Sequence, residues 1–515
     1  MQLTFNGKYF IFNRSRGTPL PLEMLFGGWH RDLDGVLFTP SYPVAARLRD
    51  YADSTAKREI NRVMISVTPW TGRIPYPKNL SPDKKQLTMA RWALDRNRSY
   101  LAGRPGVGKT IVAALIINAI HAKGDKSVVY VAPPGLCLNV LNELNKWCPD
   151  KRIYVCNGKS ISSDIRLAYD IFLVPDSFLI RAETYHLFQS LRRDRLASTV
   201  IIDEAHRYKS PEAKRTLALL GEKALTRFFP RTILMSGSPM PNRPMELYPM
   251  LKRLAPETIG FRDFHAFAHR YCDPRKVETY GGRWAWDYTG ESNFDELKKN
   301  VQKNFMLSVD KSHLGLPPKT EEIVIIGENL PAKVAKLDAK ILRELSPEKL
   351  ERDPGKDDQI STYLRELGMV KVNPALKYIR DCMESVDSAI VFAHHRDVVK
   401  LLVNGLRKYR PLVISGDTKR DERFKIAETF QKEKRHRILV GNIQACGLGF
   451  NLTKAQLVIF VEFSWVPGDN MQASDRAHRR GQKNEVLVQY LVFKNSIDRA
   501  KMETNLRKQK VTLAL

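Results

Sequence analysis

The sequence predicts an α/β protein with two parallel-sheet lobes, helical insertions and a small N-terminal accessory domain. Three observations predict it. Short, continuous apolar runs recur in two series along the 515 residues, and such runs suit strands buried on both faces of a parallel sheet. Helical patterns alternate with the runs in each series, as βαβ units require. A charged stretch rich in helix formers separates the two series.

Residues 1–70 read as the small first unit, crowded with aromatic and turn residues, as in LPLEMLFGGWHRDLDGVLFTPSYP. The Pro/Gly-rich segment TPWTGRIPYPKNLSP, Thr68 to Pro82, looks like a linker, with 71–82 outside any domain. The first lobe is expected over 83–255, with strands at Val128–Ala132, Ile171–Val174, Val200–Ile202 and Thr232–Met235. Residues 256–375, which include LPAKVAKLDAKILRELSPEKLERD, are expected to form a mainly helical insertion and connector. The second lobe follows over 376–515, with strands at Ala389–Ala393, Leu412–Ile414, Ile438–Val440 and Leu457–Val461. At roughly 150 residues per domain, the length suits about three folding units.

Apolar residues make up 43% of the chain, which excludes a wholly disordered protein. No run of about 18 uncharged apolar residues occurs, so no membrane-spanning helix is expected. The N-terminus, MQLTFNGKYFIFNRSRG, lacks the pattern of a signal peptide, and an intracellular protein is expected. The six cysteines (137, 148, 156, 272, 382 and 446) show no metal-like pairing, which fits a reducing compartment. Lys and Arg number 84 against 56 Asp and Glu, a formal charge of +28. That excess points to an anionic partner, with nucleic acid first.

Three motifs carry chemistry. Gly103-Arg-Pro-Gly-Val-Gly-Lys-Thr110 fits G-x-x-x-x-G-K-[ST] and runs directly into the helical pattern IVAALIINAIHA. Gly103, Gly106 and Gly108 let loop N–H groups close around phosphate oxygens, and the helix N-terminus points at them. Lys109 suits the β- and γ-phosphates, and Thr110 suits Mg²⁺. The second motif, Val200-Ile-Ile-Asp-Glu-Ala-His206, delivers two carboxylates at a strand end. Asp203 suits Mg²⁺, and Glu204 suits orientation and deprotonation of a water. Together the two motifs predict ATP hydrolysis with Mg²⁺. The third is Gln472-Ala-Ser-Asp-Arg-Ala-His-Arg-Arg-Gly-Gln482. Arg476 and Arg479 are spaced i,i+3, which on a helix puts both on one face. Two such arginines can neutralise charge on a phosphoryl group.

These residues, in order, carry a family resemblance. The chain resembles the Swi/Snf-like branch of superfamily two helicases, ATP-dependent DNA translocases. The matching stretches run from SPDKKQLTMARW through LAGRPGVGKT, VVYVAPPGLCLNVLNELNKW, DEAHRYKSPEAKR, LMSGSPMPN, ELYPML and AIVFAHHRD to NIQACGLGFNLTKAQLVIFVEFSWVPGDNMQASDRAHRRGQ and VQYLVF. Within the branch it is most similar to the annealing-helicase, HARP-like group and its compact bacterial and phage relatives. Phe264–Cys272 and Asp287–Asn293 look like that group's insertion, and residues 1–70, with Trp29 and Trp70, resemble its accessory DNA-structure-binding domain.

The resemblance implies two RecA-like lobes. It places Gln86 on adenine, Gly447 and Gly449 near the nucleotide, and Gln472, Arg476 and Arg479 as the second lobe's share of the ATP site. Ser236 to Pro239 would couple the γ-phosphate site to DNA. It implies a monomer acting on double-stranded or branched DNA in the cytoplasm of a bacterial or phage-infected cell, or in a nucleus. Remodelling or reannealing of forks is the first reading, with a strand-separating or branch-migration helicase, or a binding module with a vestigial ATPase, as alternatives. Two departures stand out. Ser308-Val309 replaces an Arg pair often found in the family, and Arg104 is unusual in the loop. His394-His395 is not expected to bind metal, Cys446 is expected to pack, and the run Arg343–Lys356 is expected to be an exposed helix and its end.

Overall fold

A computed structural model of the chain describes residues 2–6, 9–13, 30–31, 37–39, 45, 48–259, 263–278, 284–344, 358–446 and 450–514. The chain divides into two compact units: Met1–Ala102 with Lys109–Ser308, and Gly103–Gly108 with Val309–Leu515.

In the first unit, Gln2–Phe5 (β1), Phe10–Asn13 (β2), His30–Arg31 (β3) and Leu37–Thr39 (β4) form an antiparallel sheet in the order β1-β2-β4-β3. The alternation in β2 turns Phe10 and Phe12 inward, onto Leu3, Ala45, Leu48, Ala56 and Ile60. The helix Ser54–Val63 joins this core, and its start is fixed by Asp53, whose side chain accepts the Ala56 N–H at 2.6 Å. Trp29 lies outside the described residues. Trp70 is buried beneath Lys123, whose Nζ sits 3.9 Å from the ring centroid, and the Trp70 N–H donates to Asp95 at 2.6 Å. The Pro/Gly-rich segment that reads as a linker is therefore tied to the unit at this point.

The parallel sheet of the first unit begins with Arg98–Gly103 (β5), Ser127–Ala132 (β6), Ile153–Val155 (β7), Ile171–Pro175 (β8), Ala197–Ile202 (β9) and Arg231–Ser236 (β10). A hairpin of Arg275–Glu278 (β11) and Trp284–Asp287 (β12) stands apart, and Met306–Val309 (β13) returns to the sheet edge. The order is β13-β5-β10-β9-β6-β8-β7. Strands β6 and β8 are buried along their whole length, as their unbroken apolar runs dictate. The helix Lys109–Ala122 is apolar all round and correspondingly buried. Its one amide in the core, Asn118, is satisfied by the carbonyls of Trp147 at 2.9 Å and Pro75 at 3.3 Å.

The second unit holds Lys319–Gly327 (β14), Ala389–Ala393 (β15), Leu412–Ile414 (β16), Ile438–Asn442 (β17), Leu457–Phe460 (β18) and Val486–Phe493 (β19). All pairs are parallel, in the order β14-β19-β18-β15-β17-β16. One core layer gathers Phe392, Phe460 and Tyr490 as consecutive near-parallel rings, 5.0 and 4.8 Å apart. Cys446 is buried in this layer, as expected of a packing residue, and burial pushes its thiol up to about 12.

The predicted strand runs fall on β6, β8, β9, β10 and β15 to β18. Among the described residues of 256–375 four strands stand beside the helices, and two that the sequence reading did not place, β13 and β14, are integral to the two large sheets. The physical reason is their edge position. An edge strand keeps one side open, so it tolerates the charges of KTEEIVIIG that disguise β14 as helix or loop. Most of the run Arg343–Lys356 lies outside the described residues. Among those described, no helix is long and apolar enough to cross a membrane.

Glu257 gives a pH test of this packing. Its Oε1 accepts the Ile65 N–H at 2.7 Å, its Oε2 is buried without a partner, and burial pushes the carboxyl up to about 7. A raised carboxyl favours the folded state only while protonated. Wild-type stability should therefore fall as pH rises from the unfolded value near ~4.3 through about 7. Glu257→Gln should remove this fall, worth about 1–3 kcal/mol. Urea midpoints at several pH values check it, and identical pH slopes for the two proteins would refute it.

Candidate phosphate site and arginine turn

In the first motif, β5 ends at Gly103 and the helix starts at Lys109. Between them Gly106 and Gly108 take φ of 96° and 87°, a region closed to most side chains, which lets the loop's N–H groups converge. Lys109 and Thr110, the first two residues of the helix, are partly buried. Gln86 lies on the preceding helix, Lys84–Leu94, and is 1% exposed. Its Oε1 accepts the Asp83 N–H at 3.0 Å while Asp83 accepts the Gln86 N–H at 2.7 Å, a reciprocal helix cap.

The carboxylate pair sits at the end of β9, one strand removed from β5. The Asp203 N–H donates to the Val131 carbonyl at 2.8 Å, which holds it as a continuation of the strand. Its carboxylate accepts the Tyr130 hydroxyl at 3.2 Å and the Glu204 N–H at 2.9 Å. Burial, with the adjacent Glu204 charge, pushes the Asp203 carboxyl up to about 6, against the pull of Lys109 and these hydrogen bonds. Glu204 has φ 49° and ψ 48°. A left-handed glutamate costs of order 1–3 kcal/mol and is held only by its surroundings. The turn aims Glu204 toward His206, whose Nδ1 lies 3.3 Å from Glu204 Oε2 and 2.8 Å from Ser236 Oγ. Ser236 ends β10 and also accepts the Ser238 N–H at 3.1 Å. A hydrogen-bonded path thus joins the DEAH residues to the SGSP segment. The basic residues downstream are spent locally: Arg207 and Arg215 both contact Asp176, and Lys209 contacts Glu246 at 2.8 Å.

In the second unit Arg476 and Arg479 do not stand on a helix, the case in which their i,i+3 spacing would share one face. Helix Pro467–Ser474, which carries the half-buried Gln472, stops at Asp475, and 475–480 are turns. Asp475 ends it because its carboxylate is drawn to Lys311 at 3.0 Å and Lys319 at 3.1 Å. The arginines keep their i,i+3 spacing on tight turns, with the Arg476 N–H on the Ala473 carbonyl and the Gln482 N–H on the Arg479 carbonyl. Arg476 is 3% exposed. Arg479 is steadied through the Asp475 and Phe450 carbonyls and Asn451 Oδ1 at 3.1 Å. Its Cγ would meet a Cβ built on Gly106 at 3.3 Å, so the small loop residue leaves room for this arginine. His478 Nε2 bonds the Pro317 carbonyl at 2.8 Å, and Gln482 holds the Thr453, Ala455 and Ala477 carbonyls at 3.0 Å. LPPK and D-R-x-H-R-x-G-Q, far apart in sequence, are thereby one structural knot. Arg104 also enters this unit, its N–H on the Val309 carbonyl at 3.0 Å. Gly447 and Gly449 lie outside the described residues.

Sequence reasoning missed Tyr130, Ser236 as a partner of His206, and the Lys311–Asp475–Lys319 cluster. Lys319 is the last residue of LPPK, and Lys311 had no signal beyond its nearness to that segment. The cluster is buried, and burial lowers Lys311 to about 8 despite Asp475. The two lysines hold Asp475 well below the usual carboxylate range against the effect of burial. Asp475→Ala should cost about 3–5 kcal/mol, because it takes the carboxylate from the largely enclosed Lys311 and leaves Lys319 with Glu321. Chemical denaturation checks this, and a loss under ~1 kcal/mol, the range of surface ion pairs, would contradict it.

His394 and His395 are both tied to Glu462. Both N–H groups donate to Glu462 Oε2, at 2.8 and 2.9 Å, and His395 Nδ1 lies 2.6 Å from Oε1. Among the described residues no group of three or more His, Cys, Asp and Glu side chains could hold a metal ion. A Mg²⁺ that arrives with a nucleotide needs only one or two protein oxygens beside phosphates and water. Thr110 and Asp203 carry oxygens that could serve in that number, and burial holds the Asp203 carboxyl up at about 6.

A phosphate loop and a strand-end Asp-Glu pair on one parallel sheet, with an arginine-bearing turn on a second, define a P-loop protein of the two-lobed helicase class. Residues 85–330 match the SNF2-related domain, and residues 371–481 match the helicase conserved C-terminal domain. The chain belongs to the SNF2 family. It is 31% identical over 409 residues to the SWI/SNF-related matrix-associated actin-dependent regulator of chromatin subfamily A-like protein 1 of Xenopus tropicalis, covering 78% of this chain and 41% of that protein. It is 31% identical over 435 residues to the DNA annealing helicase and endonuclease ZRANB3 of Mus musculus, covering 82% of this chain and 39% of that protein. The alignment thus spans about two-fifths of the length of these relatives. The Sulfolobus solfataricus SWI2/SNF2 ATPase core in complex with dsDNA is 22% identical, covering 82% of this chain and 90% of that chain, with a TM-score of 0.40.

Proposed function

We propose that the chain is an ATP-driven motor that tracks on duplex or branched DNA and remodels or reanneals forks. The observation that carries the reading is the joined set at the ends of β5, β9 and β10. There Lys109 acts on Asp203, strained Glu204 stands beside it, and His206 bonds Ser236. The family membership and the +28 charge support a DNA track, because phosphate contacts give affinity without reading sequence.

ATP with Mg²⁺ supplies the transferable phosphoryl group and the metal's charge. Lys109 would hold the phosphates, with Thr110 and Asp203 on the metal and Gln86, Gly447 and Gly449 at the nucleotide. Glu204 Oε would take the proton of the attacking water, and the Tyr130 and Glu204 N–H bonds keep Asp203 fixed as it does so. Arg476 and Arg479 would neutralise the developing charge, and Gln472 would line the same group. The His206–Ser236 bond would pass a change at the phosphate to Ser236–Pro239. The proposed active form is an intracellular monomer.

The test is a duplex carrying a third strand, together with a fork whose arms are complementary. The third strand should be displaced with ATP and not with a non-hydrolysable analogue, while the fork arms re-pair. Release of a duplex strand without a trap strand would instead make it a strand-separating helicase. Failure to displace the third strand would remove translocation.

A further inference from the structure

The hairpin β11–β12 carries the most exposed large apolar side chain among the described residues, Trp284 at 69%, and beside it Trp286 at 45%. Residues two apart on a strand share a face, so Trp284 and Trp286 stand together. The backbone register pairs Glu278 with Trp284 and Lys276 with Trp286. The row continues into Tyr288, whose ring is 6.3 Å from that of Trp286 with planes only 19° apart. Tyr288 is steadied by His265 at 2.9 Å and by Phe264, 5.0 Å ring to ring, and the His269 ring meets Trp286 edge-on at 5.7 Å. The base of the hairpin is thus fixed to the helix Phe264–Tyr271, and its indoles project into solvent. A two-stranded ribbon gains little stability from rings left in water.

We infer that this aromatic row is a stacking platform for unpaired bases of the nucleic acid on which the motor works, a reading that rests on the proposed function. Flat, exposed aromatic rings accept any base, because every base has a π-face. The charges agree with that occupant. Lys276 Nζ lies 5.5 Å over Trp286, where it would meet a phosphate. Three nearby acids are engaged elsewhere, Glu296 with Arg270 and Tyr271, Asp273 with Arg275, and Asp263 as a helix cap, while Glu278 is the register partner of Trp284. The platform gives the motor a means to recognise the open arms of a fork, where bases are unpaired, over intact duplex.

The experiment compares the full chain with Trp284→Ala/Trp286→Ala by fluorescence anisotropy, on a blunt duplex and on a fork with unpaired thymidine arms. Intrinsic tryptophan emission is followed with oligo(dT). The double variant should bind the fork roughly tenfold or more weakly, keep blunt-duplex affinity within about twofold, and lose part of the emission quench. Trp284→Phe/Trp286→Phe should restore most of the fork affinity, which separates stacking from misfolding. Unchanged fork affinity in the alanine variant, or equal losses on both DNAs, overturns the inference. So does a self-association that the variant abolishes while fork binding is kept. If wild-type protein binds neither DNA, the motor reading fails as well, and this distinguishes the two failures.

Discussion

Glu204→Gln is expected to lower DNA-stimulated ATP hydrolysis by about 10²–10⁴-fold, the range for loss of a general base, while ATP binding persists. The substitution keeps the side-chain volume and an oxygen acceptor toward His206, so the left-handed turn at φ 49° is retained. Only the proton acceptor is lost. Lys109→Ala should be at least as severe, for two reasons. It removes a phosphate contact, and it removes the positive charge that opposes the upward push on Asp203, whose carboxyl already stands at about 6. Without that charge Asp203 is raised further and carries a proton over more of the neutral range, which weakens it as a metal ligand. Steady-state hydrolysis with saturating DNA, beside nucleotide binding by equilibrium titration, separates the two variants. Turnover within tenfold of wild type in Glu204→Gln would take the residue out of the chemistry.

Arg479→Ala is expected to lower turnover by roughly 10³-fold or more with nucleotide affinity kept within a few fold, as for an arginine that contacts charge in the transition state. The side chain lies over the Gly106 loop position and is half-buried, so its removal leaves the fold intact. Arg476→Ala should show a similar loss of turnover together with reduced stability, because Arg476 is 3% exposed and sits against the core layer that holds Cys446. Arg480 is exposed on the same turn, and Arg480→Ala serves as the control that should leave turnover unchanged. Normal turnover in Arg479→Ala would contradict its assignment.

Much of the fold was legible because parallel strands buried on both faces have to be continuous apolar runs, and β6, β8, β15 and β17 are such runs. β14 was hidden because an edge strand carries charges. The loop and the Asp203–Glu204 pair were legible because their chemistry depends on local spacing. The turn under Arg476 and Arg479 was not, because helix Pro467–Ser474 is ended by Lys311 and Lys319, more than 150 residues away along the chain. The Asp83–Gln86 cap gives Gln86 a structural duty beside the one assigned from resemblance. Strand order alone explains why His206 and Ser236 meet: β9 and β10 are neighbours, and both residues lie at their carboxyl ends.

The central claim is that DNA drives hydrolysis at this site. The most direct measurement is the ATPase rate of the purified chain without DNA and with single-stranded, duplex and forked DNA, across a salt series. Stimulation should be strong with duplex and fork, and the DNA concentration needed for half stimulation should rise steeply with salt, as phosphate contacts displace counterions. Equal rates with and without DNA would contradict the account.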